Sequence, residues 1–232
     1  MRKFIYETHR PTSPLRKVLL AADAAVTAFR NPKRDDAIAV LGETTGSVAL
    51  ERMRNRMRLS AHGRAILRDR PIISENTVNL EDLKKNAKPG SLGHGYVRFM
   101  DSHGFSPDER KAVHYVDDEE LAYVMRRYRE VHDFWHVLLG LDVTVRGELA
   151  LKWFELVQTE LPMNALSALV GPLSLSFGDA AKLWSVDVPW ALRAGRESEF
   201  LMNVPFETLL EEDLGDLRER LRISAHPDSL FY

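Results

Sequence analysis

The sequence of 232 residues contains no cysteine. This absence excludes disulfide bridges, thiolate metal sites, cysteine-ligated iron–sulfur clusters and a cysteine nucleophile. Any metal ion must therefore be bound by histidine, aspartate, glutamate or carbonyl oxygen. The sequence also lacks a large net charge: it contains 32 basic and 34 acidic residues, and its formal net charge is -2. This balance argues against a general nucleic-acid binder, which would need a strongly basic surface.

The chain also lacks the alternation of apolar and polar residues that is typical of β-strands, whereas helical periodicity recurs along it. We therefore predict an all-α protein in which residues 1–232 form a single compact helical domain, with residues 1–10 as an extended N-terminal segment. The first residues show neither an apolar run of signal-peptide length nor an Arg/Ser-rich presequence.

A long stretch without charge runs from Leu161 to Gly178. Pro162 and the pair Gly171-Pro172 interrupt it and would break a helix midway, so it does not predict a transmembrane span. We favour a buried core segment, with a lipid-contacting wall as the alternative. The two are compatible if the core encloses an apolar cavity that binds a lipid.

Several helix boundaries can be predicted from capping residues, prolines and glycines. A hydroxyl residue before Pro14 predicts the start of the first helix, and Asn31-Pro32 predicts its end. The clearest helix runs from Asp117 to Leu139, because acidic residues open it and Gly140 stops it. The following helix is predicted to begin around Arg146-Gly147.

Arginine is unusually dense between Arg52 and Arg70, where only Asp69 carries negative charge. Such a cluster is most often a solvated helix face. Contact with anionic lipid or with an acidic partner is the functional alternative.

The strongest functional signal is His132-Asp133-Phe134-Trp135-His136, which has the form H-D-x-x-H. On a helix the two histidines lie about 40° apart and Asp133 lies about 100° from His132, so three potential ligands share one arc. Both histidines also fall on the apolar stripe of the predicted helix, where an unpaired polar group is costly. They therefore need partners.

Glu148 stands at the start of the next predicted helix. An antiparallel helix pair would bring its carboxylate level with the histidines, so that two imidazoles and two carboxylates surround one divalent ion. This ligand set suits zinc, iron(II) or manganese. In the H-E-x-x-H motif of metalloproteases the glutamate is a general base and not a ligand, so peptidase activity is not predicted.

Each of these residues also has an ordinary structural interpretation. Asp133 can pair with Arg129 one turn back, Glu148 can be a first-turn acid favoured by the helix dipole, and the histidines can be satisfied core residues. Four such groups with compatible geometry favour the metal site. The remaining histidines include three that we predict at the surface: His9, His62 and His226.

The same residues resemble the family of the fourth protein of the coenzyme Q (ubiquinone) biosynthesis series. The family pattern, H-D-x-x-H followed by eleven residues and a glutamate, is matched without a gap from His132 to Glu148. Other segments similar to the family are Pro11–Leu15, Leu41–Gly46, Pro89–Gly93, Val116–Val124, Arg127–Asp133, Gly147-Glu148 and Lys152–Glu155. The resemblance thus runs from about Pro11 to beyond Leu161.

The resemblance implies an all-helical, largely mitochondrial protein, peripheral on the matrix face of the inner membrane. It implies that His132, Asp133, His136 and Glu148 are metal ligands and catalytic residues, with zinc as the first choice of metal and iron, manganese or cobalt as alternatives. The implied reaction replaces the ring carboxylate of a 4-hydroxy-3-methoxy-5-polyprenylbenzoate-type precursor by a hydroxyl group at C1. The implied partners are this substrate, other coenzyme Q biosynthesis proteins in a complex and the membrane surface, and a homodimer is compatible with them.

Two other functions are compatible with these residues. A non-catalytic scaffold would bind polyprenylated intermediates and organise the biosynthetic complex, and its metal would only fasten two helices together. A metal-dependent phosphohydrolase also contains His-Asp pairs, but this function fits poorly, because it needs an upstream histidine and a downstream aspartate that no geometric argument assigns in this sequence. For the enzyme, we expect the uncharged segment from Leu161 to Gly178 to help house the prenyl tail.

Overall fold

The computed structural model describes residues 4–30 and 34–229 of the chain. Its α-helices are α1 (Pro14–Arg30), α2 (Asp35–Thr45), α3 (Ser47–Leu59), α4 (Ala61–Asp69), α5 (Leu80–Asn86), α6 (Leu92–His103), α7 (Glu119–Leu139), α8 (Val145–Thr159), α9 (Pro162–Val170), α10 (Phe177–Lys182), α11 (Val188–Glu197) and α12 (Leu214–Arg220). A π-helical turn, Leu183–Asp187, joins α10 to α11, and a 3₁₀ turn, Gly171–Ser174, follows α9. No strand occurs within the described ranges, where an isolated bridge joins Ser91 and Asp213. The prediction of a single all-α domain is confirmed.

The helix boundaries agree closely with the signals in the sequence. Helix α1 begins at Pro14, while Asn31 and Pro32, its predicted stop, lie outside the described residues. Helix α7 begins one residue after Asp118, whose side chain accepts a hydrogen bond from the backbone N–H of Leu121 at 2.8 Å. Such an N-cap satisfies a backbone donor that has no partner inside the helix.

The predicted N-terminal segment, residues 1–10, is described from Phe4 onward and contains no helix. Two of its hydroxyl groups donate to the main chain that precedes α7. The Tyr6 hydroxyl donates to the Val116 carbonyl at 2.9 Å, and the Thr8 hydroxyl donates to the Val113 carbonyl at 2.6 Å. These bonds fasten the segment to the body of the protein.

Helix α7 is the central element of the hydrophobic core. Its aromatic residues Phe134 and Trp135 are completely buried. The Phe134 ring stacks on Tyr96 of α6 at 4.0 Å between centroids and on Phe206 at 5.1 Å. The Trp135 ring meets Phe154 of α8 edge-on at 5.8 Å. This dense packing fixes the rotation of α7, and with it the direction of its polar side chains.

Helix α7 ends at Gly140, which adopts a left-handed conformation with φ 71°. A Cβ atom at this position would lie 1.8 Å from the Ser229 hydroxyl oxygen, so only glycine fits the turn. Four residues later Thr144 caps α8 by accepting a hydrogen bond from the Gly147 N–H at 3.1 Å. This short connection sends α8 back along α7.

Two of the three histidines predicted at the surface are buried. His9 is 3 % exposed and His226 is 5 % exposed, whereas His62 is exposed as predicted. The prediction was wrong for the first two because each imidazole has an acidic partner distant in sequence. His9 Nε2 lies 3.0 Å from Asp117, and His226 Nε2 lies 3.0 Å from Asp187.

The uncharged segment does not form core throughout. Leu161, Met163 and Ala168 are buried, which agrees with the prediction. After Ala168 the segment runs along the protein surface. Its large apolar side chains are exposed there: Leu169 is 61 % exposed, Leu173 78 % and Phe177 92 %. The core interpretation was wrong for this second half, because the turn at Gly171–Ser174 carries the chain over the outside of α8.

The arginine cluster is a salt-bridged face. Arg58 lies 2.6 Å from Glu120, Arg70 lies 2.6 Å from Glu119, and Arg52 pairs with Glu160. The acidic start of α7 therefore neutralises much of the positive charge. This pairing supports the interpretation as a solvated face.

Two of the cavities among the described residues have mixed polar and apolar linings. One, of about 570 Å³, is lined in part by Asp142, Arg146, Asp187 and His226. The other, of about 520 Å³, is lined in part by Arg110, Arg126, Glu130 and Tyr123. The apolar lipid cavity therefore stays a prediction. Across the described ranges, no helix is both long and apolar enough to cross a bilayer.

A buried ion pair ties α2 to α7. The carboxylate of Glu43 accepts hydrogen bonds from Arg129 at 2.7 Å and from the backbone N–H groups of His114 and Tyr115 at 2.7 and 2.8 Å. The side chains of Glu43 and Arg129 are 2 % and 10 % exposed. One carboxylate thus holds three structural segments together.

We expect Glu43→Gln to lower the free energy of unfolding by about 3 kcal/mol, because breaking a buried pair leaves an uncompensated charge. Urea denaturation of the purified protein measures the change. Asp69→Asn is the control: it removes an exposed pair with Arg68, which solvent screens, and should leave the free energy of unfolding nearly unchanged. Equal losses in the two variants would contradict the assigned role of Glu43.

Candidate metal centre

Three of the predicted site residues converge between α7 and α8. His132 and His136 lie one turn apart on α7, and Glu148 lies in the first turn of α8. The Nε2 atoms of the two imidazoles are 3.2 Å apart. One carboxylate oxygen of Glu148 lies 3.1 Å from His136 Nε2, and the other lies 3.9 Å from His132 Nε2.

The donor atoms of His132, His136 and Glu148 all lie within 4.8 Å of one another. Ligand atoms at about 2.0–2.2 Å from a tetrahedral zinc ion are separated by about 3.3–3.6 Å from each other. The two shorter separations in the group, 3.1 and 3.2 Å, come close to this range. The side chains present therefore fit a divalent ion with two nitrogen ligands and one carboxylate, with coordination positions left for substrate or water.

The outer nitrogen of each imidazole is held by an acceptor. His136 Nδ1 lies 3.1 Å from the Leu141 carbonyl oxygen, and His132 Nδ1 lies 2.7 Å from a carboxylate oxygen of Glu155. A carbonyl oxygen and an ionised carboxylate only accept hydrogen bonds, so both Nδ1 atoms carry the proton. Both Nε2 lone pairs are then available to a metal ion when the imidazoles are neutral.

The charges of the group are strongly coupled. Burial alone would lower the pKa of His136, but the adjacent Glu148 carboxylate outweighs it and the pKa is raised. For Glu148 burial raises the pKa, yet His136 and His132 outweigh burial and hold it well below its usual range. His136 and Glu148 thus each stabilise the charged form of the other, and a bound cation competes with the proton on His136.

Asp133, the fourth predicted ligand, lies outside this group of three. Its carboxylate is 2 % exposed and accepts a hydrogen bond from Arg110 at 2.6 Å. The pairing with Arg129 considered from the sequence does not occur, because Arg129 binds Glu43. Tertiary structure thus supplies Asp133 with a cation from the loop before α7.

Glu155 and Lys152 are two site residues that motif reasoning missed. Glu155 is completely buried, and it accepts from His132 through one oxygen and from Lys152 through the other, at 2.7 and 2.6 Å. Burial raises its pKa, but Lys152 and His132 outweigh burial and lower it to about 2. A signal was present in the sequence: Glu148, Lys152 and Glu155 share one face of a helix at spacings of four and three.

The site has a closed wall and an open side. His136 is completely buried, and its ring stacks on Phe99 of α6 at 5.0 Å. Glu148 is 35 % exposed in its side chain and His132 is 15 % exposed. A ligand can therefore approach from the side of Glu148 and α8.

Comparisons with known proteins identify the family of the chain. The family described as coenzyme Q (ubiquinone) biosynthesis protein Coq4 matches residues 6–227. A curated relative from Mus musculus, the mitochondrial ubiquinone biosynthesis protein COQ4 homolog, is 48 % identical over 225 residues, which cover 97 % of this chain and 84 % of the relative. The homolog of the same name from Homo sapiens is 48 % identical over 223 residues, covering 96 % of this chain and 84 % of its own.

A solved structure has the same fold. A crystal structure from Nostoc punctiforme, whose protein is named only provisionally for ubiquinone biosynthesis, superposes with a TM-score of 0.71 over 91 % of this chain and 98 % of that chain. At 22 % identity this likeness supports the fold alone. The family match spans nearly all of the chain, the histidine motif and Glu148 included. The protein therefore belongs to the Coq4 family of coenzyme Q (ubiquinone) biosynthesis proteins.

Proposed function

We propose that the protein catalyses metal-dependent oxidative decarboxylation of a 4-hydroxy-3-methoxy-5-polyprenylbenzoate-type precursor, placing a hydroxyl group at C1. The observation that carries the proposal is the convergence of His132, His136 and Glu148 on one point. A divalent ion held there, zinc as first choice and iron, manganese or cobalt as alternatives, supplies Lewis-acid attraction for a carboxylate. The three side chains fix its position beside the open side of the site.

The charge balance of the site favours an anionic substrate. Lys152 neutralises Glu155 and Arg110 neutralises Asp133, so Glu148 is the one ligand whose charge offsets the cation. Two neutral imidazoles, one carboxylate and a divalent ion leave a net charge of about +1. A benzoate carboxylate compensates this charge and is drawn to it in the partly buried site.

The reaction requires an oxidant and two electrons. With dioxygen as the oxidant, the carboxyl group leaves as carbon dioxide, one oxygen atom forms the hydroxyl group at C1 and the other leaves as water. This balance needs two electrons and two protons. An external reductant can supply them, or the electron-rich ring can supply them itself and leave as the quinone. Zinc does not change its oxidation state, so with zinc the electrons must pass between ring and dioxygen.

The apolar surface formed by Leu169, Leu173, Phe177 and Trp184 is suited to the prenyl tail. It borders the site through α8: Trp184 meets Trp153 edge-on at 5.7 Å, and Gly171 lies against Leu149, the neighbour of Glu148. We place the tail along this surface, with the charged ring at the metal. Burial of the exposed side chains by the tail is favourable by about 25 cal/mol per Å².

We also propose that the protein works peripherally on the matrix face of the mitochondrial inner membrane with other coenzyme Q biosynthesis proteins. Its relatives from mouse and human are named as mitochondrial. Helix α1 supports such docking, because it turns an apolar stripe to solvent, the exposed residues being Leu15, Val18, Leu19, Val26 and Phe29. An exposed apolar face of this size is typical of an interaction surface.

We expect His132→Ala to abolish both metal binding and C1 decarboxylation, because one nitrogen ligand is lost. Elemental analysis of the purified protein and release of carbon dioxide under air and under argon measure the two effects. His62→Ala, at an exposed position on α4, is the control and should change neither. Turnover by the metal-free variant would reject the proposal. If wild-type protein binds metal but never turns over, and Glu148→Ala impairs partner assembly, the scaffold function is favoured.

We expect Asp133→Asn to retain about one equivalent of zinc while losing stability, because the change leaves the Arg110 charge without its partner. Zinc content and thermal unfolding measure the two quantities. Glu148→Gln is the comparison and should lose zinc with a smaller change in stability, since its side chain is partly exposed. If the folded Asp133→Asn variant lost zinc, Asp133 would be a metal ligand after all.

We expect Phe177→Glu to lower kcat/KM about tenfold for a long-tailed substrate and to leave a substrate without a prenyl tail unaffected. Burying one phenylalanine side chain contributes about 1.5–3 kcal/mol, which corresponds to this factor or more. Leu59→Glu is the control, because Leu59 is 85 % exposed at the end of α3. Equal losses for both substrates in Phe177→Glu would show that the tail does not bind at this surface.

A further inference from the structure

Glu155 is a charged residue in the protein interior, where an unpaired charge destabilises the fold. Its side chain is 0 % exposed, and it lies two turns after Glu148 on α8. It stands among core residues of that helix, including Phe154 and Leu151, which are fully buried. A buried carboxylate is tolerated only where its oxygens are hydrogen-bonded or paired.

Both oxygens of Glu155 have such partners. One accepts from His132 Nδ1 at 2.7 Å, and the other accepts from Lys152 Nζ at 2.6 Å. The lysine ammonium group only donates, so its bond fixes the second oxygen as an acceptor. The negative charge is thereby balanced by a cation on the same helix, three residues away.

Helix α8 places a carboxylate near each nitrogen atom of the His132 ring, at 2.7 Å from Nδ1 and 3.9 Å from Nε2. Glu155 holds Nδ1, and Glu148 faces Nε2 from the other end of the same helix face. If the proton moved to Nε2, the ring would present a donor to His136 and to any cation. Acceptance by Glu155 at Nδ1 opposes that change, so Nε2 stays free as an acceptor.

The two histidines differ in how their orientation is set. His136 Nδ1 donates to a main-chain carbonyl, that of Leu141, which every residue type at that position would supply. His132 depends on a side chain. A substitution at Glu155 therefore acts on His132 and spares His136, which makes the contribution measurable.

We propose that Glu155 is the positioning residue of the metal centre: its carboxylate holds the His132 ring with Nε2 turned towards His136 and Glu148. Lys152 keeps this carboxylate compatible with a buried position. The inference rests on the proposed metal site and does not depend on the proposed reaction. Outer acceptors of this kind orient the ligand ring and raise its basicity, and their loss weakens metal binding about 10–100-fold.

The test separates orientation from stability with a pair of variants. Glu155→Gln removes the charge and leaves the partly buried ammonium group of Lys152 without a charged partner. The double variant Glu155→Gln with Lys152→Gln removes both charges and restores a neutral hydrogen-bonding pair. Zn²⁺ and Co²⁺ affinities are measured by competition with a chelator, stability by thermal unfolding, and the His132 tautomer by ¹⁵N chemical shifts of the metal-free protein.

We expect both variants to bind Zn²⁺ about 10–100-fold more weakly, with the visible spectrum of bound Co²⁺ altered and the His132 resonances shifted towards a mixture of tautomers. The double variant should recover stability without recovering affinity. Glu207→Gln is the control. Glu207 lies 2.8 Å from the buried Arg127, and neither residue belongs to the metal-binding group. The control should lose stability and keep its Zn²⁺ affinity.

Two results would overturn the role of Glu155. Unchanged Zn²⁺ affinity in Glu155→Gln is one. Recovery of affinity together with stability in the double variant is the other, since it would mean that the residue only maintains the fold. The metal site itself is tested by the wild-type protein. If wild-type protein bound no Zn²⁺, the proposed metal site would be wrong, and so would the role of Glu155.

Discussion

The structure depends on one constraint: helix α7 is packed into the core on nearly all sides, yet it carries imidazoles and carboxylates. His136, Asp133 and Glu130 are each less than 5 % exposed. Buried polar groups of this kind destabilise the fold unless every one finds a partner. The return of α8 along α7 satisfies the histidines, because it brings Glu148 to His136 and Glu155 to His132.

Three other charged groups of α7 pair with more distant parts of the chain. Arg129 binds Glu43 of α2, Asp133 binds Arg110, and Arg127 binds Glu207, so one helix is cross-linked to three segments. These pairs are costly to break, although each also costs desolvation energy. Their combined effect is a fixed rotation of α7. A metal centre needs this rigidity, because its ligand atoms must be held within a fraction of an ångström.

The same fold places a charged site and an exposed apolar surface next to the same helix, α8. Glu148 and Lys152 face the site, while Leu149 and Trp153 support the turn and helix that expose Leu173 and Phe177. The proposed substrate, with its anionic ring and long apolar tail, would contact both surfaces at once.

The sequence by itself determined the helical class, the ends of α7 and the grouping of His132, His136 and Glu148, because periodicity, capping, i, i+4 spacing and the short connection between α7 and α8 are local properties. It did not determine the partner of Asp133, the burial of His9 and His226, or the emergence of the uncharged segment at the surface. Each of these depends on which distant side chain or helix lies opposite: Arg110, Asp117, Asp187 and the outer face of α8. Contacts between residues far apart in sequence are decided only when the whole core packs, and that is why tertiary structure alone assigned them.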